Sequence, residues 1–396
     1  MSTGPSVFSG AVTAPRERAT AGLQALWLLC LAHFCVDLYS SGLSSFQPLL
    51  VDKLHLSLTQ AGLLGGMLTL SSSVAQPLYG MLSDRFHSRM FTVLAPAMAG
   101  VFITALGIAP TFGWALGLVV LGGAGIASFH PQGSAWATAS VKDSHGRWMA
   151  IFISAGTLGW ALGPSLLTAV ITRFQFESVI WTAIPGLAAT ALLFLALPPY
   201  ERGTAKKFDI GPLRAVWKPL FLLYMAVFVR SVVQQTYTQF LPLYLHRERG
   251  FSLPEAAHSL TAYLVAGAIG GFVGGNLSDR LGARKVILWS FAGSVPFLAL
   301  FYATTGWVSL AGLIAGGLIL LFTIPVNVVV AQKLVPSQAG TISALMMGFA
   351  WGMAGLIFIP LTGWISDQFS LRVAMSSLLV FPVLGILFTH FLPEEL

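Results

Sequence analysis

The sequence is poor in charge. Only 9% of its 396 residues are Asp, Glu, Lys or Arg, whereas 56% are hydrophobic. A soluble globular protein has about 25% charged residues, and so few charges cannot cover a water-facing surface of this size. The composition therefore argues against a soluble protein and predicts an integral membrane protein.

Cysteines and catalytic motifs are also scarce. The two cysteines, Cys30 and Cys35, lie five positions apart in one apolar run, where helical geometry keeps them from forming a disulfide. The sequence has no phosphate-binding loop, no nucleophile triad and no Cys/His metal spacing. We therefore expect neither an enzyme nor an ATP-driven pump, and no cofactor or metal. The net charge of +7 comes from scattered loop residues, so we do not expect nucleic-acid binding.

Long apolar runs make up most of the chain. A helix needs about 20 residues to cross a hydrocarbon core of about 30 Å. Backbone groups in lipid must be satisfied internally, and the alternation of a barrel is absent. The sequence therefore predicts an all-α membrane protein of twelve transmembrane helices, at 22–50, 57–81, 91–108, 112–139, 147–173, 178–198, 218–245, 253–277, 286–304, 306–333, 338–365 and 371–392.

The distribution of lysine and arginine predicts the topology. Fifteen of these residues fall on the side of both termini, five fall on the other side, and Arg230 lies within a helix. This bias predicts a protein of the cell inner (plasma) membrane with both termini in the cytoplasm. We expect a disordered tail at 1–21, six-helix bundles at 22–198 and 218–396, and a cytoplasmic linker at 199–217.

A charged turn occurs twice. The segments 80–89 and 275–285 are similar and lie 195 positions apart, which predicts two related halves in tandem. Weaker copies at 168–174 and 363–369 each follow 88 positions later, on the opposite side of the predicted membrane. Each half therefore resembles two three-helix units of opposite orientation, the arrangement of alternating-access transporters.

We interpret the twin turns as parts of a gate. Their glycines allow close helix approach. Their aspartates can accept hydrogen bonds at a neighbouring helix start and pair with Arg89 or Arg284. The alternative is that these charges only set the topology. The predicted gating residues are Gly80, Asp84, Arg85 and Arg89 in the first copy, and Gly275, Asp279, Arg280, Arg284 and Lys285 in the second.

These motifs resemble those of a known family. Twelve helices in two halves, with Gly-x-x-x-Asp-Arg-x-Gly-x-Arg-Lys at 275–285, resemble the major facilitator superfamily; the first copy has His87 where the family usually has glycine. The Gly159-x-x-x-Gly163-Pro164 segment is similar to a motif of antiporters in that family.

Three further segments resemble the fosmidomycin resistance protein group of drug exporters. They are His33-x-x-x-Asp37, Gln76-Pro77-x-x-Gly80 and Ser128-Phe129-His130-Pro131. The resemblance implies that the first and seventh helices line a central cavity. There, Asp37 would face Arg230 from the opposite half.

Ionisable side chains within the membrane are costly, by roughly 3 kcal/mol each, and are therefore functional candidates. Asp37 is the predicted proton-coupling carboxylate, and His33 and His130 are its predicted partners. Two alternatives stay open: Asp37 and Arg230 form a structural ion pair, or His33 only orients Asp37. The predicted substrate-binding residues are Arg230, Gln234, Tyr237, Asn327, Gln47 and Ser134.

The sequence thus predicts a monomeric, proton-coupled secondary transporter that exports a small organic compound or drug by alternating access. Its expected partners are the substrate, protons and the lipid bilayer. A passive facilitator or importer of an organic anion is one alternative. A sensor with a transporter fold that moves no substrate is another, although such a sensor would be expected to carry a soluble output domain.

Overall fold

The computed structural model describes residues 15–86, 88–139, 145–197 and 211–394, and this part of the chain is helical with no strand. Eleven helices in it are long and apolar enough to cross a membrane. A twelfth, at the predicted run 57–81, is an interrupted helix over 58–86. The predicted all-α fold is confirmed.

The first half contains helices 1 to 6. Helix 1 is Pro15–Ser40 and Gly42–Leu54, helix 2 is Leu58–Thr69, a π turn Leu70–Val74 and Gln76–Phe86, and helix 3 is Met90–Val93, Ala95–Thr104 and Ala105–Ile108. Helix 4 is Phe112–Ala139, helix 5 is His145–Phe174, and helix 6 is Phe176–Ala183 and Ile184–Ala196. Helix 1 begins within the predicted disordered tail, whose residues 1–14 lie outside the described part.

The second half repeats this order. A short helix, Gly211–Ala215, lies within the predicted linker, whose residues 199–210 are not described. Helix 7 is Trp217–Arg249, helix 8 is Leu253–Leu281, helix 9 is Ala283–Ala303, and helix 10 is Gly306–Leu320 and Thr323–Leu334. Helix 11 is Ala339–Ser343, a π turn Ala344–Phe349 and Ala350–Gln368, and helix 12 is Leu371–Ser377 and Val380–His390.

Glycines bring helix 5 against helix 1. A Cβ atom on Gly159 would lie 2.1 Å from the Phe34 carbonyl oxygen, and one on Gly163 would lie 2.6 Å from the Leu38 carbonyl oxygen. In membranes, such small residues allow two backbones to approach closely. The glycine motif of helix 5 is therefore a packing surface that fixes the face of helix 1 carrying His33.

The two halves meet on the side away from the turns 80–89 and 275–285, which we call the opposite side. Asp367, near the end of helix 11, accepts hydrogen bonds of 2.8 Å from the backbone N–H groups of Leu58 and Thr59. It also accepts a bond of 2.6 Å from the Thr59 hydroxyl. These N–H groups begin helix 2 and have no partner within that helix. Asp367 therefore joins the halves by satisfying a helix start.

Two more polar contacts join the halves on the opposite side. Arg247 of helix 7 pairs with Asp52 of helix 1. Ser165 of helix 5 lies 2.8 Å from His258 Nδ1 and 2.7 Å from the Thr261 hydroxyl, both on helix 8. Together with the Asp367 contact, they hold the opposite side of the two bundles together.

Candidate functional site

Asp37 lies between two histidines. His33 Nε2 is 3.2 Å from Asp37 Oδ2, and His130 Nε2 is 3.2 Å from Asp37 Oδ1. His33 precedes Asp37 by one turn of helix 1, whereas His130 comes from helix 4. The structure therefore brings the three predicted proton-coupling residues together, and we call them the His–Asp–His triad.

The outer ring nitrogens of the triad are bonded to backbone. His33 Nδ1 lies 2.9 Å from the Phe152 carbonyl oxygen, and His130 Nδ1 lies 2.8 Å from the Ile126 carbonyl oxygen. A carbonyl oxygen only accepts, so each Nδ1 carries a hydrogen. If both contacts with Asp37 are hydrogen bonds, two protons lie between the carboxylate and the rings, and the triad has a net charge of +1. Loss of one proton makes it neutral.

Apolar rings and a glycine surround the triad. The His33 ring packs against Phe152 and Phe129, with centroids 4.2 and 5.5 Å apart. A Cβ atom on Gly156 would lie 2.3 Å from His33 Nε2 and 2.5 Å from Asp37 Oδ2. Helix 5 can therefore pass the triad only because residue 156 has no side chain. One possible metal-ligand atom from each residue of the triad lies within 4.8 Å of the other two, a spacing that would also suit a metal ion.

Arg230 does not pair with Asp37. The guanidinium donates to Gln234 Oε1 at 2.5 Å and to the Ser231 hydroxyl at 3.1 Å, and its Nε has no partner. Among the described residues, no carboxylate forms an ion pair with it. The alternative of a structural ion pair between Asp37 and Arg230 is therefore wrong for this conformation. The histidines of the first half bond Asp37, and neutral groups of helix 7 bond Arg230.

The other predicted substrate residues are distributed unevenly. Gln234 contacts Arg230, and both Gln47 and Asn327 are buried with no partner for their amide groups. Tyr237 bonds the Tyr302 hydroxyl at 2.8 Å, so its polar group is used inside the second half. Ser134 donates to the Pro131 carbonyl oxygen of its own helix. Gln234 therefore lies beside Arg230, as a shared binding site would require. Gln47 and Asn327 have buried amide groups without a partner.

The charged turns form contacts that differ from the expected ones. Arg89 donates to the carbonyl oxygens of Leu197 and Phe194 at the end of helix 6. Arg284 donates to the His390 carbonyl oxygen at 2.7 Å and pairs with Glu394, both at the end of helix 12. Arg284 forms no ion pair with Asp279, so that expected pairing is wrong. The pairing of Arg89 with Asp84 stays a prediction, because the Asp84 side chain lies outside the described residues.

The remaining gating residues lie at or near the surface. Asp279, Arg280 and Lys285 are exposed, and so is Arg85, whose guanidinium lies 6.0 Å from the Phe86 ring. The side chain of Asp84 and residue His87 lie outside the described residues.

The two glycines of the turns have room for a side chain. A Cβ atom on Gly80 would lie 3.5 Å from Pro131, and one on Gly275 would lie 3.8 Å from Pro325. Both are ordinary van der Waals distances. The expected tight helix approach at these glycines is therefore not present in this conformation.

Four residues of the site were not predicted. Gly156 borders the triad, and the amide of Gln132 donates to Ser83 and to the Ser88 backbone beside the first charged turn. The Tyr263 hydroxyl on helix 8 is buried without a partner, and the Arg230 guanidinium lies 5.7 Å from the Trp351 ring. A small-residue pattern in helix 5 could have revealed Gly156.

Known proteins of similar sequence and fold are transporters. The chain matches the Major Facilitator Superfamily over residues 29–260 and 223–395. It is 30% identical to the fosmidomycin resistance protein of Escherichia coli (strain K12), covering 100% of this chain and 98% of that protein. It is 31% identical to YfnC, an uncharacterized MFS-type transporter of Bacillus subtilis (strain 168), covering 93% of each.

A solved structure shows the same fold. It is a bacterial homologue of the human lysosomal transporter Spinster, in an inward-facing and occupied conformation. The TM-score is 0.79 at 17% identity, over 93% of this chain and 96% of that one.

Proposed function

Since the chain belongs to the Major Facilitator Superfamily, a family of multi-pass membrane transporters rather than enzymes, we propose that it is a proton-coupled secondary transporter exporting a small organic compound or drug. The observation that carries this proposal is the His–Asp–His triad within the first half. All four of its hydrogen bonds are filled when each imidazole ring carries two hydrogens, and loss of one proton changes the charge of a mostly buried cluster. Protonation at this site therefore has a large electrostatic effect in a medium of low dielectric.

The triad is also placed to respond to alternating access. His33 and Asp37 come from helix 1 and His130 from helix 4, while Gly156 of helix 5 closes the third side. Phe152 and Gly156, the helix 5 residues against the triad, carry no charge. Movement of this bundle against the other would change the exposure of the carboxylate and the rings to water. Proton affinity would then differ between the two states, as coupling requires.

The contacts between the halves support a closed opposite side. With the predicted topology, in which both termini are cytoplasmic, this side faces outward and the described conformation faces inward. We further propose that the bundles 22–198 and 218–396 move against each other, that the Arg230 side of the second half meets the substrate, and that the transporter acts as a monomer. Export is favoured by similarity to a protein named for fosmidomycin resistance.

The test is transport by the Asp37→Asn variant in proteoliposomes, with labelled fosmidomycin as the first substrate probe. Asparagine has nearly the same shape and mimics the protonated carboxyl permanently. We expect substrate exchange to persist and accumulation driven by a pH gradient to be lost. The matched control is Glu177→Gln, which changes an exposed carboxylate to an amide. If Asp37→Asn accumulated substrate at the parental level, the coupled proton would have to be carried by another residue.

The same assay separates the alternatives. A passive facilitator would exchange the probe but would not accumulate it in the parental protein. A sensor would bind it without exchange. Either result in the parental protein would overturn proton-coupled export.

A further inference from the structure

Arg230 is a buried cation without a counter-charge. Its side chain is 4% exposed, and both of its bonded partners, Gln234 and Ser231, are neutral. Within the described ranges, no carboxylate lies within 4.0 Å of the guanidinium. A charge buried in this way is costly unless an opposite charge compensates it. The missing partner is one negative charge.

The guanidinium has hydrogen-bonding capacity that the described residues leave unused. One N–H on each terminal nitrogen is used by Gln234 and Ser231, whereas Nε has no partner. The guanidinium carbon lies 5.7 Å from the centroid of the Trp351 ring. In a guanidinium the Nε–H and one terminal N–H point in parallel, at a spacing that matches two oxygens of an oxyanion.

Tyr263 of helix 8 supplies a further donor. Its hydroxyl is buried without a partner, and helix 8 packs against helix 7, which carries Arg230. The Tyr263 ring packs against Tyr237 with centroids 5.5 Å apart, which limits the directions of the hydroxyl. Tyr237 itself is bonded to Tyr302, so of this pair only the Tyr263 hydroxyl is left to bind a ligand.

An aromatic pair lies beside this charge. Trp351 of helix 11 and Trp160 of helix 5 form an edge contact with centroids 5.8 Å apart. They come from different halves, and both are partly exposed. A substrate whose oxyanion is held at Arg230 therefore has an apolar surface next to it.

We propose that Arg230, Tyr263 and Trp351 recognise a small organic monoanion: one carboxylate, phosphonate or sulfonate group on an apolar or aromatic body. Arg230 binds two oxygens of the anion, Tyr263 donates a third hydrogen bond, and Trp351 packs against the body. This inference rests on the proposed function, because a substrate site presupposes a transporter.

Binding to the purified full-length chain tests the charge requirement. The probes are benzoate and phenylphosphonate, with benzamide as the neutral analogue of benzoate and benzylammonium as the cation, each measured by calorimetry at millimolar concentrations. We expect the two anions to bind at least tenfold more tightly than benzamide, since a hydrogen bond to a charged group contributes about 1.5–3 kcal/mol. Equal binding of benzamide or benzylammonium, or no binding of either anion, would overturn the proposal.

Variants test the individual residues. Tyr263→Phe removes only a hydroxyl and should weaken benzoate binding by roughly tenfold. Tyr244→Phe is the matched control, because that hydroxyl is in the same half but bonds Arg249. Arg230→Lys should also weaken binding, since lysine lacks the planar fork. Gel filtration and thermal unfolding establish that each variant is folded. If the folded Tyr263→Phe variant bound benzoate with parental affinity, Tyr263 would not be part of the binding site.

The two proposals fail in different ways. If benzoate binds as expected but a pH gradient drives no accumulation, the proposal of proton coupling is wrong and the proposal of anion recognition is supported. If a pH gradient drives accumulation of a neutral or cationic compound and benzoate does not bind, the proposal of anion recognition is wrong and the proposal of proton coupling is supported.

Discussion

Gly156 lies directly against His33, so that a Cβ atom at position 156 would be 2.3 Å from His33 Nε2. Real Cβ atoms do not come this close to a nitrogen. The distance between helices 1 and 5, and with it the shape of the triad, therefore depends on a residue that contributes no functional group.

The first prediction concerns Gly156→Ala. The added methyl group should displace His33 or Asp37 at a cost of about 1–3 kcal/mol for overpacking. We expect a lower midpoint of thermal unfolding and loss of accumulation driven by a pH gradient, with insertion intact. Gly117→Ala is the control, because no atom lies within 4 Å of its new Cβ. Parental accumulation by Gly156→Ala would show that the triad tolerates displacement.

The second prediction uses the separation of Asp37 and Arg230. If they formed an ion pair, Asp37→Asn with Arg230→Gln should be more stable than either single change implies. Because they have different partners, we expect the changes in unfolding free energy to add within about 0.5 kcal/mol. Denaturation of the four proteins in detergent measures this. A favourable coupling energy between the two changes well above that figure would show that Asp37 and Arg230 interact directly.

The third prediction concerns Asp279 in the second charged turn. Asp279 is exposed and far along the chain from Arg230, so Asp279→Ala should leave affinity for the probe unchanged. If the turn acts as a gate, exchange across the membrane should still slow down. Measured turnover and affinity separate these effects. A parental rate of exchange would contradict the gating role.

The fourth prediction concerns Asp367. Its charge lies at the start of helix 2, where the helix dipole makes an exposed negative charge favourable by about 0.3–1 kcal/mol. Asp367→Asn keeps the shape but loses the charge, so the closed opposite side should become less populated, by roughly two- to fivefold. Distances between spin labels on helices 2 and 11 report this change.

Ser376→Ala, an exposed hydroxyl on helix 12, is the control for Asp367→Asn. An unchanged distance distribution in Asp367→Asn would show that the other contacts between the halves hold this side closed without it.

The helices could be predicted because their signal is local. Each span needs an apolar run of sufficient length, and the structure has a helix at every predicted run. Breaks such as the one at Ser41, and the π turns of helices 2 and 11, could not be predicted because they depend on packing against neighbours.

The candidate site was only partly predictable for the same reason. The spacing of His33 and Asp37 on one helix predicts that they meet, and the structure shows it. Spacing along helix 1 does not tell whether helix 4 or helix 7 supplies the next partner, so His130 and Arg230 were both plausible. Tyr263 gives no signal in sequence, because a single tyrosine in an apolar helix is usually a packing residue.

The arginines of the two charged turns illustrate how a duplicated fold can diverge. Arg89 and Arg284 occupy matching positions, and each binds a main-chain oxygen at the end of the last helix of its own half. Arg284 also pairs with a carboxylate, that of Glu394. A main-chain acceptor exists whatever side chain a mutation introduces there. The attachment of helix 6 or helix 12 can therefore outlast sequence drift that would erase a pair of side chains.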